Sequence, residues 1–97
     1  MRFRDYGLQV GRITPGPLNA ITDVPGVLVG QADYHTDGTA VHRSGVTVIW
    51  PHGGNSFRER VYSGTSILNG YGIMTGRAVI DEWGLLGSPL VYAIHAV

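Results

Sequence analysis

Apolar and polar positions alternate over short stretches of this chain, and the stretches are bounded by turns. Val27–Ala32 (VLVGQA) has the composition of a strand. Gly45–Pro51 (GVTVIWP) is a clearer one, with β-branched residues and a proline stop. Arg60–Leu68 (RVYSGTSIL) alternates: Val61, Ser63, Thr65 and Ile67 face one way, Tyr62, Gly64, Ser66 and Leu68 the other. From Thr75 the period changes. Ala78, Val79, Glu82 and Trp83 have helical spacing, with Thr75 placed to N-cap and Gly84 to end the helix. Pro89–Val97 (PLVYAIHAV) is a last apolar strand. Turn chemistry separates these runs. Pro15, Gly16 and Pro17 fix a bend, Val24–Gly26 is a second turn that Asp23 can cap, and the polar stretch 33–45 suits an exposed hairpin loop around Asp37-Gly38. Residues 52–60 read as a loop or a mobile insert. Several strands, one helix and one strand make the class α/β or α+β, with no internal repeat and no linker.

The final strand shapes the expected domain organisation. The sequence stops inside an apolar run with no polar tail, and such a strand needs neighbours on its edges and faces. Residues 1–97 are therefore expected to form a single incomplete domain of a larger polypeptide, the alternative being a small domain whose last strand is central. Length allows one small domain with a thin core. Seven arginines balance seven acids without any lysine, so there is no electrostatic pull toward nucleic acid or an anionic membrane. The absence of cysteine excludes disulfides and thiolate metal sites. No signal peptide and no run of spanning length is seen, which predicts a soluble, cytoplasmic protein. Glycine stands out at 15 of 97 residues and, being spread without a period, predicts many tight turns.

Candidate chemistry is sparse. Gly70, Gly72 and Gly76 form G-x-G-x-x-x-G between a predicted strand and a predicted helix, one residue off the dinucleotide fingerprint. The acid expected about 20 residues further on is missing, because Glu82 is the last acid in the chain. The competing reading is a tight turn close to the core. His35, Asp37, His42 and His52 are the available metal ligands, but none sit at i, i+4 on a helix and all fall in polar loops, so no metal or other cofactor is expected. Ser66 lacks the second glycine of a nucleophile elbow. His95 reads as a core or interface histidine. Asp81 and Glu82 point about 100° apart and form no dyad, and Asp81 is placed to pair with Arg77. Asn69, just before the glycines, is the one amide placed to reach a site, and it is equally a turn residue. No catalytic residue is assigned.

Four blocks in order, Gly16–Gly30 (GPLNAITDVPGVLVG), Arg43–Pro51 (RSGVTVIWP), Leu68–Gly76 (LNGYGIMTG) and Ile80–Leu90 (IDEWGLLGSPL), resemble the start of the L-aminopeptidase/D-esterase family, which includes the self-processing β-aminopeptidases. The resemblance implies part of a four-layer αββα sandwich and a precursor that cuts itself into α and β chains. A serine or threonine freed at the start of the β chain would attack an amide or ester carbonyl and form an acyl-enzyme that water hydrolyses. This chain would match only the first part of the α chain, with the nucleophile beyond its end. Ser88 as the processed serine would leave a ten-residue β chain, too short to hold a site. The implied partners are the rest of the precursor, further copies in a homo-oligomer, and a small peptide or amide substrate. Two departures bear on substrate range: Ile73 stands where many relatives carry a charge, and Tyr92–His95 stand where they often carry threonine–asparagine–threonine. The rivals are a non-catalytic truncated homologue or assembly module, and a dinucleotide-binding fragment.

Overall fold

The structure, a computed structural model, describes residues 2–93. Its elements are β1 (Leu28–Thr36), β2 (His42–Trp50), β3 (Val61–Tyr62), α1 (Arg77–Trp83), β4 (Leu85–Leu86) and β5 (Leu90–Ala93), preceded by 3-10 turns at Phe3–Tyr6 and Ile21–Asp23. The mixture is α+β, as the pattern predicts.

β1 and β2 pair antiparallel along their whole length, from Leu28 opposite Trp50 to Thr36 opposite His42, and β5 adds antiparallel to β2 to give the order β1-β2-β5. Both long strands run further than the sequence predicts. The polar stretch after Ala32 continues as strand, and only residues 37–41 form the loop. Side chains hold this extension closed. Asp37 binds His35 Nε2 at 3.0 Å through one oxygen and Arg43 at 3.1 Å through the other, and His35 and Arg43 are directly opposite in the register. The Thr36 hydroxyl donates to Ala40 O and accepts from His42 N. The turn before β1 closes as Val27 N donates to Val24 O, with Gly26 at φ +86°, the left-handed position that a proline-glycine turn requires. Asp23 organises the segment before that turn rather than the turn itself, accepting from Leu18 N and Ala20 N.

Because side chains alternate across a strand, this register sorts the three-stranded sheet into two unlike faces. One carries Leu28, Gly30, Ala32, Tyr34 and Thr36 of β1, His42, Ser44, Val46, Val48 and Trp50 of β2, and Val91 and Ala93 of β5, with no Asp, Glu or Arg among them. The other carries Val29, Gln31, Asp33 and His35 of β1, Arg43, Gly45, Thr47 and Ile49 of β2, and Leu90 and Tyr92 of β5, apolar at one end and charged at the end near the loop. Neither is covered within the described residues. On the apolar face Leu28, Trp50 and Val91 are 53%, 40% and 63% exposed.

Arg60–Leu68 does not form the long strand that its alternation predicts. Only Val61 and Tyr62 pair, with Leu86 and Leu85, and Ser63 N reaches Gly84 O. Gly64 and the serines that follow favour strand weakly, and Thr65 is tied instead to α1, its hydroxyl donating to Asp81. The α1 helix ends as predicted, at Gly84 in the left-handed region with its N–H on Ile80 O. It starts one residue later than predicted: Gly76, at φ +86°, is the N-cap, and no side chain caps the first turn. A left-handed turn at that point suits glycine and displaces Thr75 from the capping role. The hydrophobic centre is small. Ile80 of α1 and Leu86 of β4 are the buried apolar side chains among the described residues.

Candidate functional site

A shallow depression with charged residues in its lining lies at the end of the sheet near the β1–β2 loop, among Asp33, His35, Arg43, Gly45, Thr47 and Tyr92, with Tyr34, Ser44, Val46 and Ala93 of the opposite alternation also lining it. Gly45 is its floor. A Cβ there would sit 2.9 Å from Asp33 Oδ1, so the glycine lets the carboxylate lie across the strand. His35 and Asp37 have the form of a base and its orienting carboxylate. No nucleophile accompanies them. Ser44 neighbours Arg43 but points to the opposite face by strand alternation. Thr47, on the same face, is four residues along β2 and receives Gln31 Nε2 on its hydroxyl. The group is exposed and closes the loop, which accounts for all three side chains.

His52 is engaged through both ring nitrogens. Nε2 lies 2.6 Å from Glu59 O and Nδ1 lies 3.0 Å from Gly54 N. A carbonyl needs a donor and a backbone N–H needs an acceptor, so the ring is the neutral Nε2–H form. The 3.8 Å approach of Glu59 Oε2 to Nδ1 is then not an ion pair, because that nitrogen carries no proton. With Asn55 Oδ1 accepting from Phe57 N and Arg58 N, His52 folds the loop 52–60 upon itself. Among the described residues no cluster of three His, Asp or Glu side chains is placed to hold a metal ion.

The glycine loop is not the phosphate cradle that its spacing resembles. Residues 63–69 contain no strand, and α1 is only seven residues long. Gly70 and Gly72 lack positive φ, and nothing lies within 4 Å of where their Cβ atoms would be. The expectation that closeness to the core explains these two glycines is therefore corrected: they stand in the open. Asn69 Oδ1 accepts from Tyr71 N at 3.0 Å, an Asx turn that starts the loop. Leu68, Tyr71 and Ile73 along it are almost wholly exposed.

Asp81 pairs with Arg77 as its spacing predicts. Arg77 Nε is 3.1 Å from Asp81 Oδ2, a charge contact without hydrogen-bond alignment, since Nε has no aligned acceptor. With Thr65 on its other oxygen, Asp81 is used up as a clamp between the 63–66 segment and α1. Neither Ser66 nor Ser88 is hydrogen-bonded to a histidine among the described residues. Ser56 is the buried hydroxyl, 6% exposed and without a partner, and its sequence neighbourhood carried no signal for it. His95 lies outside the described residues, as do Ile94 and the rest of the final run. No helix among the described residues is long and apolar enough to cross a membrane.

A further group, missed by sequence reasoning, is Arg60 with its guanidinium over two rings. Its guanidinium carbon is 5.0 Å from the centroid of Phe57 and 4.7 Å from that of Trp83. Phe57 is three residues from Arg60, but Trp83 comes from α1, and only the fold brings it near.

Comparison with known proteins identifies the scaffold to which these groups belong. The profile of peptidase family S58 matches residues 19–94. The chain is 42% identical over 95 residues to the beta-peptidyl aminopeptidase BapA of Sphingosinicella xenopeptidilytica, covering 92% of this chain and 23% of that protein. It is 38% identical over 96 residues to the BapA of Sphingosinicella microcystinivorans. Among solved structures it superposes on a Burkholderia sp. beta-aminopeptidase with TM-score 0.84 at 47% identity, and on the PH0078 protein from Pyrococcus horikoshii OT3 with TM-score 0.85 at 34%. Each superposition covers 96% of this chain and under a third of the other. The chain spans about a quarter of the length of the curated relatives it matches.

Proposed function

The chain belongs to peptidase family S58, and from that premise we propose that it is the N-terminal scaffold part of a self-processing serine aminopeptidase or amidase-esterase acting on small peptides or amino-acid amides. The observation that carries the reading is its 42% identity to a β-peptidyl aminopeptidase across 92% of its own length. The site geometry agrees. His35, His52 and Asp81 are each engaged in structural contacts, which supports a nucleophile and activating groups outside this chain. The uncharged face of the sheet agrees as well. In a domain completed by more polypeptide, that face takes a second sheet in the αββα arrangement, and residues 1–97 supply one sheet layer and a helix. Asn69 then lies at the rim of the loop next to the missing part, as a positioning turn and not as a reacting group. The cytoplasm is the compartment we assign.

The test is release of p-nitroaniline from small aminoacyl anilides. The 97-residue chain is expected to release none. A polypeptide extended to the length of the relatives is expected to turn the anilide over and to yield two bands after processing. Turnover by the short chain would overturn the assignment of the nucleophile, and an extended chain that never cuts itself would favour the non-catalytic assembly module.

A further inference from the structure

Residues 69–71 bring together the parts of an intramolecular cyclisation. Asn69 Oδ1 accepts from Tyr71 N at 3.0 Å, which folds the side-chain amide back over the Gly70 peptide. Gly70 N makes no hydrogen bond among the described residues. Nothing lies within 4 Å of where a Gly70 Cβ would be, so the backbone there is free to turn its nitrogen toward the amide carbon. The Tyr71 N–H already rests on the oxygen that takes the negative charge when that carbon is attacked.

The other places where this chain could react in the same way are held. Asn19 precedes Ala20, whose N–H donates to Asp23 Oδ2 at 3.2 Å. Asn55 has its side chain folded back too, accepting from Phe57 N and Arg58 N. Beside it, however, Ser56 carries a Cβ and is only 6% exposed, and the Asn55 carbonyl is tied to Arg58 N and Glu59 N. Asp37 precedes Gly38, but its carboxylate is bound by His35 and Arg43, and its charge repels an attacking nitrogen anion.

We propose that Asn69 is a site of spontaneous deamidation, selected by the fold. Hydroxide takes the Gly70 N–H proton, and the nitrogen attacks Asn69 Cγ. The new N–Cγ bond closes a succinimide ring, the Cγ–Nδ2 bond breaks, and Nδ2 leaves as ammonia with a proton from water. Water then opens the ring at either carbonyl and leaves aspartate or isoaspartate at position 69. The product adds a negative charge to a chain of net charge zero, and the isoaspartate form inserts a methylene into the backbone that leads to α1. Asn69 reacts here with its own chain and not with a substrate. The contacts lie inside residues 69–71, so the proposal stands apart from the peptidase reading and from whatever covers the loop.

Peptide mapping tests it, because cleavage after arginine puts Asn19, Asn55 and Asn69 into separate peptides, residues 13–43, 44–58 and 61–77. The extended polypeptide carrying A20G, which gives Asn19 a glycine neighbour as well, is aged in mildly alkaline buffer with and without urea. In urea the two asparagine–glycine pairs are expected to deamidate at similar rates. Without urea Asn69 is expected to react roughly tenfold faster or more, since the nitrogen after Asn19 must first leave the Asp23 carboxylate. Peptide 61–77 is expected to yield both aspartate and isoaspartate, the mark of the ring. G70A places its methyl in open space but crowds the attacking nitrogen, and is expected to slow Asn69 roughly tenfold with an unchanged melting midpoint. Equal rates at the two pairs without urea overturn the proposal. So does an Asn69 that stays intact, a product that is aspartate alone, or a G70A that deamidates as fast as the wild type.

Discussion

Gly76 carries the sharpest residue-scale constraint. It holds φ +86° at the start of α1 with open space where a side chain would go. Gly76→Ala is therefore a pure backbone test. A left-handed alanine costs about 1–2 kcal/mol, partly offset by the lower entropy of the unfolded chain. The expected net loss is about 1 kcal/mol, read as a lower denaturation midpoint in the extended polypeptide, while Gly72→Ala, at a glycine without positive φ, is expected to change little. The hairpin loop offers a contrast. Asp37 joins His35 and Arg43, yet all three are more than half exposed, so Asp37→Ala is expected to cost less than about 1 kcal/mol. Its effect should appear as faster amide exchange confined to residues 37–41.

At the scale of elements, what could be read beforehand follows from how local each determinant is. The β-branched run at Val46–Ile49 marks β2, Asp37-Gly38 marks its turn, and Gly84 marks the end of α1, all from neighbours in the chain. The failure at Arg60–Leu68 is instructive because the alternation there is real. Alternation makes a strand only when a partner edge lies alongside, and β4 offers just Leu85 and Leu86 to pair with. The start of α1 was missed because a threonine beside a glycine is locally as good a cap as the left-handed glycine itself. The Arg60 stack was invisible because it needs Trp83, 23 positions away. The two faces of the sheet, by contrast, follow from register alone and can be told apart by mutation. In a polypeptide long enough to cover the sheet, Val46→Asp puts a charge on the uncharged face and is expected to abolish the yield of processed protein. Gln31→Lys, on the opposite face, is expected to be tolerated with at most a small loss. Equal effects of the two would contradict the assignment of faces.

The whole molecule is open for its size. Its radius of gyration is 16.6 Å, against roughly 12.5 Å for a compact chain of this length. Its accessible surface is 8568 Å², against roughly 5,400 Å² for a folded monomer of this mass. With Ile80 and Leu86 as the buried apolar side chains, the interior falls far short of what normally offsets chain entropy. The isolated chain is thus expected to bind a hydrophobic dye such as ANS strongly and to melt without a sharp transition, whereas the extended polypeptide should do neither. A cooperative melt and no dye binding by the 97 residues alone would mean that they bury their own apolar face in solution.

The chain has two tryptophans, and the fold assigns one to each uncovered surface. Trp50 ends β2 on the uncharged side of the sheet, and Trp83 stacks on Arg60 at the end of α1. Each indole is thus a spectroscopic beacon for a different event. In a W83F background, a blue-shifted emission maximum would time the arrival of the second layer over Trp50; in a W50F background, the remaining signal would follow burial of the end of α1. Fluorescence of the two variants, followed in parallel, can therefore order the two burials along the assembly route.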